Sequence, residues 1–516
     1  MSDSSQCPIA GFDAHGDWYG ALRELCLTTD LPQVDHAQRD VGLRLCDLEG
    51  VAVNYQSDGR ILVTGATGPV GGSRQMPARD RSEVWWLVLI MVVGFLVAVT
   101  SHYVEGFYLR RPFPLNTFLS NPVYRFSDLY QTLSVSGHPS PYLGSSAPLP
   151  SSYLPLTHLL LKPFTWLPYF LALPLFLFST MAAILWLLAR QLLDLNLPLR
   201  LLVTGVIGLM NYPILFMLDR GNVESLVLLI LAASALSARR GAWKWSAVLI
   251  GAAAAMKGYP LLFVLVLVGG RRYRDATVAV VTAVALTLVS FMTFSGGLVE
   301  NARAFINSLG AFFANNVGET GIQHGSSLSG LATAVAQTLP AMSWLHEMVA
   351  PISLGVLLIG TAAVVSGRLV LWQSYAVVAG LTVLVPTVSF DYRLVLLMVP
   401  LLVMLREPGG SLRRTSLVLI GLVFVPKGLP ILYGQVSLGV MVNPLLLLVL
   451  VLGLSTVAVC QRPAGTDPGS PAELVSRTGQ PRLHEQGFDE RPVFHNRVLE
   501  TGRTFEVHEA AWGGGH

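Results

Sequence analysis

Apolar runs cut by charges or by Pro and Gly recur along the middle of the chain. They fall at 84–104, 168–192, 198–218, 222–238, 243–257, 259–270, 275–295, 346–366, 370–389, 391–406, 413–433 and 436–460. A series of about twelve such runs predicts an all-α, polytopic membrane protein of as many transmembrane helices. The run 259–270 is short for an apolar layer about 30 Å thick, and is expected to be broken or tilted. Leu154–Leu167 is apolar but interrupted by Pro155 and Pro163, which predicts an interfacial segment or a half-helix. Two long connections, 105–167 and 296–345, separate the first run from the second and the seventh from the eighth.

The flanks differ. Residues 1–83 are polar and are expected to form a small cytosolic region; 84–460 form the membrane domain; 461–516 are rich in Gly, Pro, Glu and Arg and are expected to be a disordered cytosolic tail. Val51–Val63 predicts a hairpin around Ser57-Asp58-Gly59. Ile61–Gly71 (ILVTGATGPVG) is similar to the glycine-rich turn of short-chain dehydrogenases. A dinucleotide site needs a helix and a whole sheet after it, whereas a polar linker and the first apolar run follow here, so no such site is expected. No apolar segment precedes residue 84, so the first span is expected to act as its own insertion signal.

Composition agrees with this picture. Of 516 residues, 52% are hydrophobic and only 13% charged, with a mean hydropathy of +0.56. That excludes an ordinary soluble enzyme, a disordered chain and a nucleic-acid-binding protein. The net charge of +3 is too small to call for a polyanionic partner. The four cysteines, Cys7, Cys26, Cys46 and Cys460, form neither a disulfide framework nor a metal knuckle. The basic connections carry Arg190/Arg200, Arg239/Arg240/Lys244, Arg271/Arg272/Arg274, Arg368 and Arg406/Arg413/Arg414. If spans alternate, all lie on one side, with Arg74, Arg79 and Arg81, and that side is the cytoplasm. Both termini are then cytosolic, and both long loops are extracytoplasmic.

Ionisable residues at the other ends of these runs are the candidates for chemistry, since a charge near lipid is expensive. Asp128 lies in the first long loop. Asp219-Arg220-Gly221-Asn222-Val223-Glu224 joins the third and fourth runs, and Lys257-Gly258-Tyr259-Pro260 follows the fifth. His324 lies in the second loop, Asp391-Tyr392-Arg393 joins the ninth and tenth runs, and Lys427-Gly428 sits near the end of the eleventh. Such a set suits transfer from a lipid phosphate: cations stabilise the leaving phosphate, and a carboxylate takes a proton from an acceptor hydroxyl. Each has a structural alternative. Asp128 could cap a helix, Arg220 could pair with Asp219 or Glu224, Asp391 with Arg393, and Lys257 and Lys427 could snorkel to the interface. Glu105, His138 and His158 are weaker candidates. No ligand spacing makes a metal site, nothing resembles a Walker loop, and no cofactor is expected.

The order of these motifs resembles polytopic GT-C-type glycosyltransferases, in particular glycosyltransferase family 87, the polyprenyl-phosphate-mannose-dependent mannosyltransferases. The resemblance is carried by Ser127-Asp128-Leu129-Tyr130 with Gly137-His138-Pro139 and Pro141-Tyr142, by Arg220-Gly221-Asn222, and by Gly251–Leu262 with Arg271-Arg272-Tyr273-Arg274. Ser389–Leu394 is a weaker match. It implies a GT-C-like fold and a metal-independent, inverting transfer of a sugar, typically mannose, on the extracytoplasmic face. The donor would be a polyprenyl-phosphate sugar, and the acceptor a lipid or glycan. Asp128 maps onto the family's base and His324 onto its second-loop histidine. Arg220, Lys257 and Arg393 are expected to bind the donor phosphate, and Asn222 and Tyr259 the substrate. Two departures stand out. A single proline in Ser152-Tyr153-Leu154-Pro155 replaces the usual Tyr-Pro-Pro, and residues 1–83 lie outside the pattern.

Two other readings compete. A secondary transporter or lipid-linked-sugar flippase would place charges near the midplane and often shows inverted repeats. A non-catalytic partner in cell-envelope assembly would make Asp128 dispensable. Charges gathered at one face beside two long loops favour the enzyme.

Overall fold

The computed structural model describes residues 51–55, 61–65, 78–143, 151–316, 324–407, 410–428, 430–431 and 436–461. The expected tail, Cys7, Cys26, Cys46 and the Ser57-Asp58-Gly59 turn lie outside the described residues, as do residues 66–71 of the glycine-rich stretch. The chain divides into two units, Met1–Arg79 and Asp80–His516. In the first unit, β1 (Val51–Tyr55) and β2 (Ile61–Gly65) pair antiparallel, with Val51 opposite Gly65 and Tyr55 opposite Ile61.

Over its described residues, the second unit is mostly helical. In chain order it holds α1 (Ala78–Tyr103), α2 (Ser127–Ser136), α3 (Pro155–Leu161), α4 (Tyr169–Gln191), α5 (Leu197–Leu209), α6 (Tyr212–Arg220), α7 (Glu224–Arg239) and α8 (Trp243–Lys257). There follow α9 (Val264–Gly269), α10 (Tyr273–Met292), α11 (Gly297–Asn316), α12 (Leu328–Thr338), α13 (Leu345–Val365), α14 (Leu371–Leu384), α15 (Met398–Met404), α16 (Ser411–Phe424) and α17 (Leu438–Cys460). Two residue pairs, Pro430–Ile431 and Val436–Ser437, form a short antiparallel ladder before α17.

Every expected apolar run carries helix, and several are apolar enough to embed the protein in a membrane. Five helices, the first of them counted over Glu83–Tyr108, meet the length and hydropathy needed to cross it, or six if α5 and α6 count as one broken span. The expected twelve spans are not reached: several of the other helices break or stop inside their runs, for identifiable reasons. Asn211 accepts from the Ile214 N–H and caps α6, Pro213 stands in its first turn, and the chain bends by 56° there. The run 413–433 stops being helical at Phe424, before Pro426. Residues 391–397 are 3-10 rather than α, and α1 starts at Ala78 rather than at 84.

Packing explains how short helices hold together. Helix α14 is apolar all round, and every residue from Trp372 to Leu384 is buried. Such a helix is stable only when enclosed, and α13, α15 and α17 pack on it. Helix α8 lies against α7 and α10. The α8–α10 approach depends on Gly251, where a Cβ would stand 2.5 Å from the Ala279 carbonyl oxygen. The outward faces are apolar: α4 exposes Phe170 and Phe178, a pattern that suits lipid rather than water. At the start of α1, Glu83 is buried and paired with Arg413 (3.7 Å) and Arg414 (3.8 Å), which ties α1 to α16.

Candidate active site

The expected site residues stand at the ends of helices, where backbone groups are unpaired and dipoles favour particular charges. Asp128 and Glu224 occupy the first turns of α2 and α7, and Arg220 and Lys257 the last turns of α6 and α8. All four charges therefore have the sign that their helix end stabilises.

The turn between α6 and α7 does most of the positioning. Gly221 adopts φ +64°, and the chain closes the helix with Gly221 N–H to Leu218 O and Asn222 N–H to Met217 O. Glycine takes this left-handed geometry without the penalty that other residues incur. Space demands it too: a Cβ would lie 2.8 Å from the Leu129 Cβ. With that turn in place, Arg220 and Asn222 both reach Asp128. Arg220 Nη2 forms a short ion pair with Asp128 Oδ1, and Asn222 Nδ2 donates to Asp128 Oδ2 at 2.6 Å.

The residue before Arg220 fixes the first loop from the other side. The Asp219 carboxylate accepts from the backbone N–H and hydroxyl of Ser120 and pairs with Arg125 Nε at 3.3 Å. The Asp219 carbonyl accepts from the Phe126 N–H at 2.7 Å, and Arg220 Nη1 donates to the Tyr124 carbonyl at 3.3 Å. Phe126 itself sits at φ +55°, immediately before α2 begins.

Beyond Asn222 the network continues inward. Lys257 Nζ donates to Asn222 Oδ1 at 3.1 Å and to Glu224 Oε2 at 2.7 Å. Tyr259 donates its hydroxyl proton to Glu224 Oε1. The ammonium lies over the rings of Tyr153 and Tyr392, at 4.8 and 5.3 Å. The Arg393 guanidinium covers Tyr259 at 4.9 Å and donates to the Val388 carbonyl at 3.0 Å. Its Nε is buried without a hydrogen-bond partner, and among the described residues no carboxylate pairs with it. Asp128, Arg220, Asn222, Lys257, Tyr259 and Arg393 thus form one continuous cluster.

His324 borders the cluster rather than entering its hydrogen bonds. Its ring packs on Phe216 at 4.8 Å, and Phe216 stacks on Tyr392. Burial, and then the Arg220 charge, push its imidazole down to about 4. The His324 segment is pinned to the Ser389–Asp391 segment: Asp391 N–H donates to the His324 carbonyl, Gly325 bridges Phe390, and Ser326 N–H donates to the Ser389 carbonyl. The Asp391 carboxylate accepts from Tyr212 Oη at 2.6 Å and from the Ser326 hydroxyl. The alternative pairings do not form: Arg220 meets Asp128 rather than Asp219 or Glu224, and Asp391 binds hydroxyls rather than Arg393.

Lys427 and the weaker candidates Glu105 and His158 make other contacts. Lys427 donates to the Val423 and Val425 carbonyls, and Glu105 pairs with Arg111. His158 is wholly buried between the Ser136 and Ser151 hydroxyls, and burial holds it neutral, down to about 3. Among the described residues, no group of three or more His, Cys, Asp or Glu could hold a metal ion. Sequence reading missed Tyr153, Tyr392 and the role of Glu224. Glu224 had a detectable signal, an acid three residues after Gly221 at the opening of an apolar run. Tyr392 lies between two candidates, Asp391 and Arg393, and Tyr153 lies in the stretch compared with Tyr-Pro-Pro, but the sequence assigns neither ring a role.

Comparison with known proteins adds one finding. No curated protein and no solved structure matches the chain significantly. The sequence model of glycosyltransferase family 87 matches residues 152–390, which hold Tyr153, Arg220, Asn222, Glu224, Lys257, Tyr259 and His324. Across that stretch the chain is similar to glycosyltransferase family 87, and its apolar helices suit a membrane-embedded protein.

Proposed function

We propose that this protein transfers a sugar from a polyprenyl-phosphate donor to a lipid or glycan acceptor at the extracytoplasmic face, with inversion and with Asp128 as the general base. The observation that carries the reading is the charge balance of the cluster. Asp128 is matched by Arg220 and Glu224 by Lys257, which among the described residues leaves Arg393 as a cation without a carboxylate partner. A sugar phosphodiester carries one negative charge, so Arg393 is assigned to the donor phosphate. In this reading the acceptor hydroxyl oxygen attacks the anomeric carbon and gives its proton to Asp128. The bond from that carbon to the phosphate oxygen breaks, and its electron pair leaves on the phosphate beside Arg393. Arg220, expected as a phosphate ligand, instead orients the base, and His324 borders the acceptor side. Mannose is proposed on the family resemblance, and the extracytoplasmic face on the position of the cluster opposite the basic connections.

The test is direct. Wild type and Asp128→Asn in nanodiscs are incubated with short-chain polyprenyl-phosphate-mannose and a lipid extract from the source cell, and products are read by mass spectrometry. A new glycolipid with wild type alone supports the reading. Equal product from both removes Asp128 from the mechanism. No product across several donor sugars turns attention to lipid-sugar movement across vesicles.

A further inference from the structure

The transfer chemistry leaves one buried ion pair without a task. Glu224 is fully enclosed and the Lys257 side chain is 7% exposed. Burying such a pair costs desolvation, so what it orients is the question to ask. The answer lies at Asn222. Its Oδ1 accepts from Lys257 Nζ at 3.1 Å and from the Glu224 N–H at 2.9 Å. With that oxygen facing two donors, the amide can turn only one way. Its Nδ2 then faces Asp128 at 2.6 Å and the Tyr153 hydroxyl at 3.4 Å. The flipped amide would set a carbonyl against the Asp128 carboxylate and an NH2 against an ammonium. Glu224 fixes where the ammonium points, and the Tyr153 and Tyr392 rings flank it.

We propose that Glu224 and Lys257 are a positioning pair that locks the Asn222 amide as a hydrogen-bond donor to Asp128. The proposal rests on the glycosyl-transfer reading and replaces the donor-phosphate role expected of Lys257. The lock predicts that Lys257 acts on turnover through Asn222 rather than on donor affinity.

Four proteins in nanodiscs test it: wild type, Asn222→Ala, Lys257→Met with Glu224→Gln, and the triple variant. The paired substitution removes both buried charges together, so neither is left alone. The paired variant is expected to lose about 30–100-fold in kcat, to change donor KM by less than about threefold, and to add nothing to Asn222→Ala. A rise in donor KM of about tenfold or more with kcat kept, or losses that multiply in the triple variant, overturns it. Thermal unfolding of the same set needs no turnover. If wild type transfers no sugar, the transfer reading fails separately; a Tm loss shared between Asn222 and the pair still supports the lock, and fully additive losses overturn it.

Discussion

Asn222 donates to Asp128 across 2.6 Å from the far side of a left-handed glycine turn, while Arg220 reaches the other carboxylate oxygen from the near side. Both oxygens of the acid are therefore fixed before any substrate arrives. Preorganisation of this kind removes the rearrangement that a free loop carboxylate would need at the moment of proton transfer.

Asp128→Asn is expected to abolish transfer while the protein inserts and purifies as wild type does. Asp391→Asn disturbs a buried carboxylate held by Tyr212 and Ser326, and should lower the melting temperature as well as activity. Parallel melting curves and turnover assays separate the two. Loss of fold in Asp128→Asn, or full activity, contradicts the assignment.

Arg393→Met removes the one cation of the cluster without a carboxylate partner among the described residues. Transition-state stabilisation should fall by about 2–4 kcal/mol, with part of the loss appearing as a raised donor KM. Arg393→Lys should recover only part of it, since an ammonium cannot reproduce the planar fork. Donor titrations of the three proteins check the order.

Gly221→Ala meets both a left-handed backbone and the Leu129 Cβ at 2.8 Å. A destabilisation of about 1–3 kcal/mol is expected. Activity should fall further than stability alone accounts for, because Arg220 and Asn222 would leave Asp128 together. Thermal unfolding and kcat measured on one preparation decide it.

The pH response has a definite sign. His324 is held at about 4 and His158 at about 3, both below the ordinary imidazole value of 6.5. The native state therefore binds fewer protons than the unfolded state between those values, so stability is complete above about pH 6.5 and is lost as pH falls toward 4. His324→Gln should flatten part of that decline, leaving the His158 share. Because the folded-state imidazole titrates at about 4, an activity limb near pH 6.5 belongs to another group, with or without His324→Gln. Melting curves from about pH 7 to 4 and a pH–rate profile of each protein supply both readings.

Much of the scaffold was legible because hydrophobic runs announce helices whatever they pack against. Their ends were less so. The break at Asn211 was written as Asn-x-Pro, a capping signal inside an apolar run, and the overrun past Phe424 ignored Pro426. The charged members of the site were legible because a lone cation or acid at a helix end demands a reason. Which charge meets which was not. Arg220 finds Asp128 ninety-two positions away, and its neighbours Asp219 and Glu224 are occupied by other partners. The roles of Tyr153 and Tyr392 stayed hidden because nothing in the sequence pairs either ring with Lys257 until the backbone brings that cation over its face.

The side-by-side placement of Asp219 and Arg220 has a mechanical corollary. One residue clamps Ser120, Arg125 and Phe126, and the next clamps Tyr124 and Asp128, so a single helical end grips the strap 120–128 along its whole length. The acid cannot drift independently of α6. Any tilt of that helix at its 56° elbow with α5 would carry the strap along as a rigid passenger, and the aim of the carboxylate would turn with it.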